Sequence, residues 1–435
     1  MQRFCLHIVV HSFLLMVVTA SASAENWPGW RGPRGDGSSL EKNIPTSWNG
    51  ETGENIVWKV PVPGVGHASP VIWEDRIFLV SCLEESEERV LISLDRKSGK
   101  ELWRRTVFKA PLETKHNLNS RASGTPVTDG ELVYVTFLQV DGSTVPAPNV
   151  GTKRPITPGQ MVVAAYDYQG NRKWSVKPGE FISAHGYSSC PVLYKDLLIV
   201  NGDHDGKGYV VALDKKSGEM KWKVLRKHGI RSYVTPIIRD VAGRTQMVMS
   251  GSQSVVSYDP SDGSKHWEIE GPTEQFVASM VFDGKLFFMA CGFPDYHVLG
   301  IRPDGKGDVT DTHVAWHQRS AKCYVPSPVV LDGHLLVADD RGTANCFDAG
   351  TGKKLWKERL GKHFSASLIH ANGLAYFIAD DGITKIVKPG PKLEVVAENT
   401  LGEYSFASPA VSNGQLFIRG EKHLYCISEA STTGG

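Results

Sequence analysis

The sequence is poor in the features that usually mark an enzyme or a membrane protein. Of its seven cysteines, Cys5 lies in a leader and six remain: Cys82, Cys190, Cys291, Cys323, Cys346 and Cys426. No two are adjacent and none forms a CxxC pair, which disfavours a zinc ribbon and rules out a CxxCH haem attachment. Six in so long a chain do not make a disulfide framework. Most sit inside apolar runs, where a free thiol behaves as a small hydrophobe. An excess of charge of either sign is also lacking: 48 Lys and Arg against 47 Asp and Glu leave +1. That balance provides no electrostatic footprint for nucleic acid or an anionic membrane surface. After residue 24 no second long apolar run occurs, so no transmembrane segment is expected in the mature chain. A GxSxG elbow, HExxH, a P-loop and a strand-borne GxGxxG are all missing. Helix-period patterns are nearly absent.

What is present begins with Arg3, the apolar run "IVVHSFLLMVVTA" (8–20) and Ala22-Ser23-Ala24. A basic start, a short apolar stretch and a small-x-small site read as a secretory signal peptide over 1–24. No cysteine follows the cleavage point, so a lipoprotein anchor is not expected. Residues 25–430 are read as one domain and 431–435 as a disordered tail. The expected location is periplasmic or secreted.

The rest of the chain repeats itself. One signature is a small residue, Ser/Thr-Pro or an equivalent, an apolar run, a short turn and a second apolar run. It occurs eight times, as in "HASPVIWEDRIFLV" (67–80), "YSSCPVLYKDLLIV" (187–200) and "FASPAVSNGQLFIR" (406–419). A second signature, "ALDKKSGEMKW" (212–222) in its clearest form, ends on Trp103, Trp174, Trp222, Trp267, Trp316 and Trp356. After the seventh copy "KIVKPGPKLEVVAE" (385–398) stands where the tryptophan is lost. An unmatched strand of the second type, "ENIVWKVPVP" (54–63) with Trp58, sits in front. Units of about 40–50 residues with four short strands and hairpin turns are those of β-propeller blades. The expectation is an all-β, eight-bladed propeller with four-stranded antiparallel blades. Residues 54–63 would close the ring on the strands of 406–428, removing the exposed sheet edge. The seven tryptophans, Trp58 included, read as packing contacts between blades: a single ligand site would not recur in register with the fold.

The pattern A-x-D-x-x-[ST]-G-x-x-x-W resembles the tryptophan-docking motif of quinoprotein-type (PQQ-like) β-propellers, and the likeness covers essentially the whole mature chain. The start "NWPGWRGPRGDGSS" (26–39), followed by "ENIVWKVPVPGVGHASPV" (54–71), is similar to secreted bacterial PQQ-like repeat proteins. The outer-membrane assembly protein BamB, a scaffold, is of the same type. The resemblance implies either a scaffolding or binding protein or, alternatively, a PQQ-dependent alcohol or sugar dehydrogenase. Such dehydrogenases carry two adjacent cysteines, a Glu/Asn/Asp calcium set and a catalytic Asp. This chain has no Cys-Cys pair, and no segment matches the calcium set, so PQQ and calcium are disfavoured. The acidic stretches "NGDHDG" (201–206), "RPDGKGDVTD" (302–311), "ADDRG" (338–342) and "ADDG" (379–382) have turn chemistry and lack EF-hand spacing.

A ligand is better sought at one mouth of the central channel, among the residues that precede each inner strand. Read around the ring these are His67; Asn119 and Arg121; His185 and Tyr187; Arg231 and Tyr233; Gln275; Lys322 and Tyr324; His363; and Tyr404. Turns normally carry Gly, Asn and Asp, whereas this set carries cations, imidazoles and aromatics suited to an anionic or aromatic molecule or a peptide tail. Insertions at 106–121, 139–160 and 301–316 are further places where binding is expected. No catalytic residue and no metal ligand is assigned. The expected function is that of an exported, monomeric, non-catalytic binding protein for an envelope or extracellular protein or a small ligand.

Overall fold

In each repeat the apolar runs form strands that lie between two neighbouring sheets. The third repeat shows how. Val192–Tyr194, Leu197–Gly202, Tyr209–Asp214 and Met220–Leu225 pair antiparallel in chain order. The two central strands are buried almost throughout, because blades cover both their faces, while the outer strand keeps an exposed edge. The computed structural model describes residues 25–429; the signal-peptide and tail readings lie outside the described residues.

Eight such sheets follow one another in a ring. The strand Ile56–Pro61 pairs antiparallel with His423–Ile427 and becomes the outer strand of the eighth blade. The N-terminal closure expected from the orphan strand is therefore the one the chain makes. Among the described residues there is no helix, and none long and apolar enough to cross a membrane. All six described cysteines are buried and free.

Two rings of contacts join the blades. On the outside, each tryptophan indole reaches the next blade. Trp58 donates to Arg96 O at 3.0 Å, Trp103 to Tyr168 O at 2.8 Å and Trp174 to Lys215 O at 3.0 Å. Trp222, Trp316 and Trp356 donate likewise to Pro260, Ala349 and Gly390. The phrase "ALDKKSGEMKW" thus serves two joints. Asp214 accepts the N–H groups of Lys216 and Ser217 to shape the turn. Gly218, at φ +77°, brings its bare Cα against the indole of Trp174, where a Cβ would meet Cε3 at 2.7 Å. Trp222 then docks onto the following blade.

The joint between blades 4 and 5 departs from this rule. Trp267 donates to Gln246 Oε1 in its own blade. The long hairpin after Ile301 folds back so that Gly307–Asp308 pairs parallel with Trp267 and Glu268. The 301–316 insertion is therefore an added strand on the outside, away from the channel. At blade 7 the tryptophan register is held by Ala397, opposite Ile386. There Trp48, 2 % exposed, packs into the core shared by blades 7 and 8, its backbone N–H held by Asn399 Oδ1.

On the inside runs a belt made by the residue of each "SP" or its equivalent. The N–H of Ser69 donates to Thr125 Oγ1, and that of Thr125 to Cys190 Sγ. A second arc runs from Thr235 to Ser279, Ser327, Ser367 and Ser408, each N–H donating to the next hydroxyl at 2.8–2.9 Å. These hydroxyls, which the sequence offers as possible nucleophiles without a base, join blade to blade instead.

Eight blades leave a wide channel, and here the chain fills one end of it with its own beginning. Trp27 exchanges two backbone hydrogen bonds with Ile72, and Thr128 N donates to Pro28 O. Ser38–Ser39 pairs parallel with His370 and Ala371, and Asp36 accepts from Arg239 at 2.7 Å. Arg31 is buried and donates to the carbonyls of Asp36, Pro328 and Leu368. Residues 25–41 thereby tie the inner strands of most blades together and stop the channel.

Candidate functional site

Above that stop, at the end where the inner strands begin, lies a cup of about 1120 Å³. Its floor includes Trp30, carried by the segment that fills the channel. Of the residues expected at this mouth, His67, Asn119, His185, Arg231, Tyr233, Gln275, Tyr324 and His363 line the cup. The other four do not. Tyr187, 4 % exposed, turns into the blade core against Phe181, ring centroids 5.0 Å apart. Arg121 is drawn outward by an ion pair with Glu84 and by Glu113 O. Lys322 faces solvent. Tyr404, 57 % exposed, stacks behind Phe406. The residue two before each belt position lines the cup in every blade, from His67 to Phe406, whereas those further from the strand point inward or outward according to the path of their loops.

The lining is tightly held. Arg231, 3 % exposed, is locked by both oxygens of Asp205 at 2.9 and 2.8 Å and also donates to Asn149 O. Tyr233 shares a 2.6 Å hydrogen bond with Ser183, and Tyr324 donates to Gln275 Oε1 at 3.2 Å. Asn119 donates to His185 O. Burial, with Arg231 next, drives the His185 imidazole down to about 3. Burial, followed by Arg419, takes His67 to about 4. His363 moves the other way, because Asp380 accepts from Nδ1 at 2.6 Å and favours the imidazolium. The Asp340 carboxyl is raised to about 6 by burial even though it accepts the N–H of Val325.

Several lining groups lie outside the set read from the sequence. Asp340 and the carboxylates behind the lining, Asp205 and Asp380, come from turns between the second and third strands, which open at the same mouth. Their signal was the acidic stretches themselves. Asp203 is a further case: it is buried against Arg226 Nε at 3.0 Å. These acids therefore answer internal cations and backbone N–H groups. The insertion at 139–160 supplies Asn149 and Arg154 to the rim, and that at 106–121 supplies His116. Among the described residues, no group of three or more His, Cys, Asp or Glu side chains is placed to hold a metal ion.

Comparison with known proteins agrees with this architecture. The family model described as outer membrane protein assembly factor BamB matches residues 45–145, 142–283 and 307–388. That is well over half of the chain, which therefore belongs to this PQQ-like β-propeller family. No curated protein matches it in sequence. Among solved structures, BamB from Moraxella catarrhalis is similar with a TM-score of 0.60 and 12 % identity, over 87 % of this chain and 99 % of that one. A quinohemoprotein alcohol dehydrogenase from Pseudomonas putida gives 0.64 and 12 %, over 94 % and 81 %. A europium-containing methanol dehydrogenase gives 0.59 and 12 %, over 92 % and 90 %. At such identity the likeness is one of fold.

Proposed function

We propose that this protein is an exported, non-catalytic binding protein whose cup receives a small ligand. The observation that carries this reading is the closed floor. A propeller acting only as a docking face needs no stopped channel, whereas a blind, partly aromatic cup with a few fixed polar groups is the form of a small-molecule site. The state of the lining supports the absence of catalysis. Arg231 and His363 are engaged by carboxylates, and the lining hydroxyl that meets a carboxylate, that of Ser365, donates to the same Asp380 oxygen that His363 already occupies.

The family's other activity has one observation in its favour. Asp340, raised to about 6, is a carboxyl suited to taking a proton from an alcohol. Pyrroloquinoline quinone itself is a planar tricarboxylate and would require uncompensated cations and a metal. Arg231 is already neutralised by Asp205, and the lining carboxylates Asp340 and Glu274 have no third donor grouped with them. The residues present do not offer that donor set.

The test is native mass spectrometry of the folded protein after incubation with the small-molecule fraction of its own periplasm and medium. A retained mass that is lost in Tyr324→Ala is expected. If no mass is retained, the small-ligand reading fails. Dye reduction on alcohols after adding the quinone and Ca²⁺ would overturn the non-catalytic reading.

A further inference from the structure

We propose that the cup takes the end of a neutral oligosaccharide, with the terminal pyranose ring lying against the aromatic floor. The inference rests on the small-ligand reading above and assigns that ligand a class.

Charge is the first ground. The lining holds two arginines, one aspartate and one glutamate, and the deepest of the arginines, Arg231, is answered by Asp205. His363 is answered by Asp380. Of the remaining charged groups, Arg154 and Glu274 are exposed at the rim and Asp340 is a single carboxylate, so the lining offers no cluster of one sign to replace the hydration that a ligand ion would shed, which is costly. His67 and His185, held neutral by burial, add no positive charge.

The second ground is the pairing of flat apolar faces with hydrogen-bonding edges. Trp30 lies in the floor. Phe293 and Tyr324 stand on one wall with centroids 6.0 Å apart, and Phe406 stands on another, packed on His67 at 4.7 Å. A pyranose has faces of C–H groups, which meet the electron-rich face of an aromatic ring, and a rim of hydroxyls, each both donor and acceptor. The cup meets that rim with Asn119, Gln275 and the belt. Ser367 and Ser408 line the cup, and each accepts one backbone N–H, which leaves its own O–H to donate inward. A purely apolar ligand would leave these groups without partners.

The third ground is shape. The cup exceeds the ~300–1,000 Å³ usual for a drug-sized ligand, which is room for more than one sugar unit. Its floor is closed, so a polymer cannot thread through and only a chain end can enter.

The test is a printed array of neutral hexasaccharides (maltohexaose, cellohexaose, xylohexaose, N-acetylchitohexaose) beside acidic ones (oligogalacturonate, hyaluronan), followed by calorimetry. At least one neutral hexasaccharide is expected to bind. Trp30→Ala should weaken it about tenfold or more, equivalent to ~1.4 kcal/mol. Trp30 belongs to the segment that stops the channel, so Phe406→Ala provides a second variant with the same expected loss. Leu225→Ala, on an exposed outer strand, should bind like the wild type. A preference for the acidic chains, or silence from every neutral one, overturns the proposal. Equal binding of linear and cyclic maltooligosaccharides overturns the end-on entry. If the array is silent while mass spectrometry finds another molecule that Trp30→Ala releases, the sugar class falls and the cup reading stands. If both are silent, both fall.

Discussion

The outer ring of tryptophans and the inner belt of small polar side chains join the same eight blades, yet their interruptions fall at different joints: after blades 4 and 7 outside, after blades 3 and 8 inside. Outside, blade 7 has Ala397 where a tryptophan would stand, and Trp48 from the N-terminal segment packs into the shared core. Inside, at the joint between blades 8 and 1, the hydroxyl of Ser69 is buried without a partner, and nothing substitutes for that link. The difference follows from the forces. Apolar burial is non-directional, so a side chain from a distant part of the chain can supply it. A belt of backbone-to-hydroxyl bonds needs each group within about 3 Å at a fixed angle, so it can be broken but not patched from elsewhere.

Substitutions can break this comparison. The largest effect is expected at the buried indoles. Trp267, 0 % exposed, should cost about 3–5 kcal/mol when changed to alanine, read by denaturant unfolding. Trp48→Ala should approach that value and raise hydrogen exchange in Glu394–Thr400. A near-neutral Trp48→Ala would mean that the seventh joint needs no indole at all.

Next comes the turn glycine. Gly218→Ala combines positive φ with a collision on Trp174, whereas Gly243→Ala has positive φ of +75° and open space. Backbone strain alone costs about 1 kcal/mol or somewhat more, so Gly218→Ala should exceed Gly243→Ala in thermal melts. Equal losses would show that the glycine serves only the turn.

The belt provides a smaller, sharper contrast. Ser327→Ala strands the N–H of Ser279 and should cost about 1–2 kcal/mol. Ser69→Ala removes a hydroxyl with no partner and should be neutral or slightly stabilising by the same unfolding assay.

The smallest effects concern pH, and they have opposite signs in two histidines of the cup. His185 is held at about 3 when folded, while an unfolded histidine titrates near 6.5. The unfolded state therefore binds the extra proton, and stability falls as pH drops below 6.5. His185→Gln should flatten that acid limb. His363 is raised by Asp380, so its contribution is full below 6.5 and fades as pH rises through its folded value. His363→Gln should lower the melting temperature more at pH 5.5 than at pH 8.5.

The fold was largely legible because its signals are local and repeated. Strand alternation, the Asp-x-x-Ser-Gly turn and the recurring tryptophan each act within a dozen residues, and the orphan strand around Trp58 implied its partner by counting. The site was legible only in part. Tyr187 and Tyr324 occupy equivalent places, three residues before the belt positions Cys190 and Ser327, yet one fills a blade core and the other lines the cup. Asp205, Asp340 and Asp380 read as turn formers and do shape turns, but the same turns open at the ligand mouth.

By itself the sequence determined the number of blades, the closure of the ring and the chemistry of the joints, because each depends on neighbours in the chain or on periodicity. Tertiary structure alone decided that "NWPGWRGPRGDGSS" stops the channel, that Trp30 becomes the floor of a cup, and that the small polar side chains at the Ser-Pro positions and their equivalents form a belt. Those outcomes depend on which groups meet across the axis of the ring. They bring Pro28 to Thr128 and Asp36 to Arg239, contacts separated by about a hundred to two hundred residues, for which no local pattern encodes the meeting.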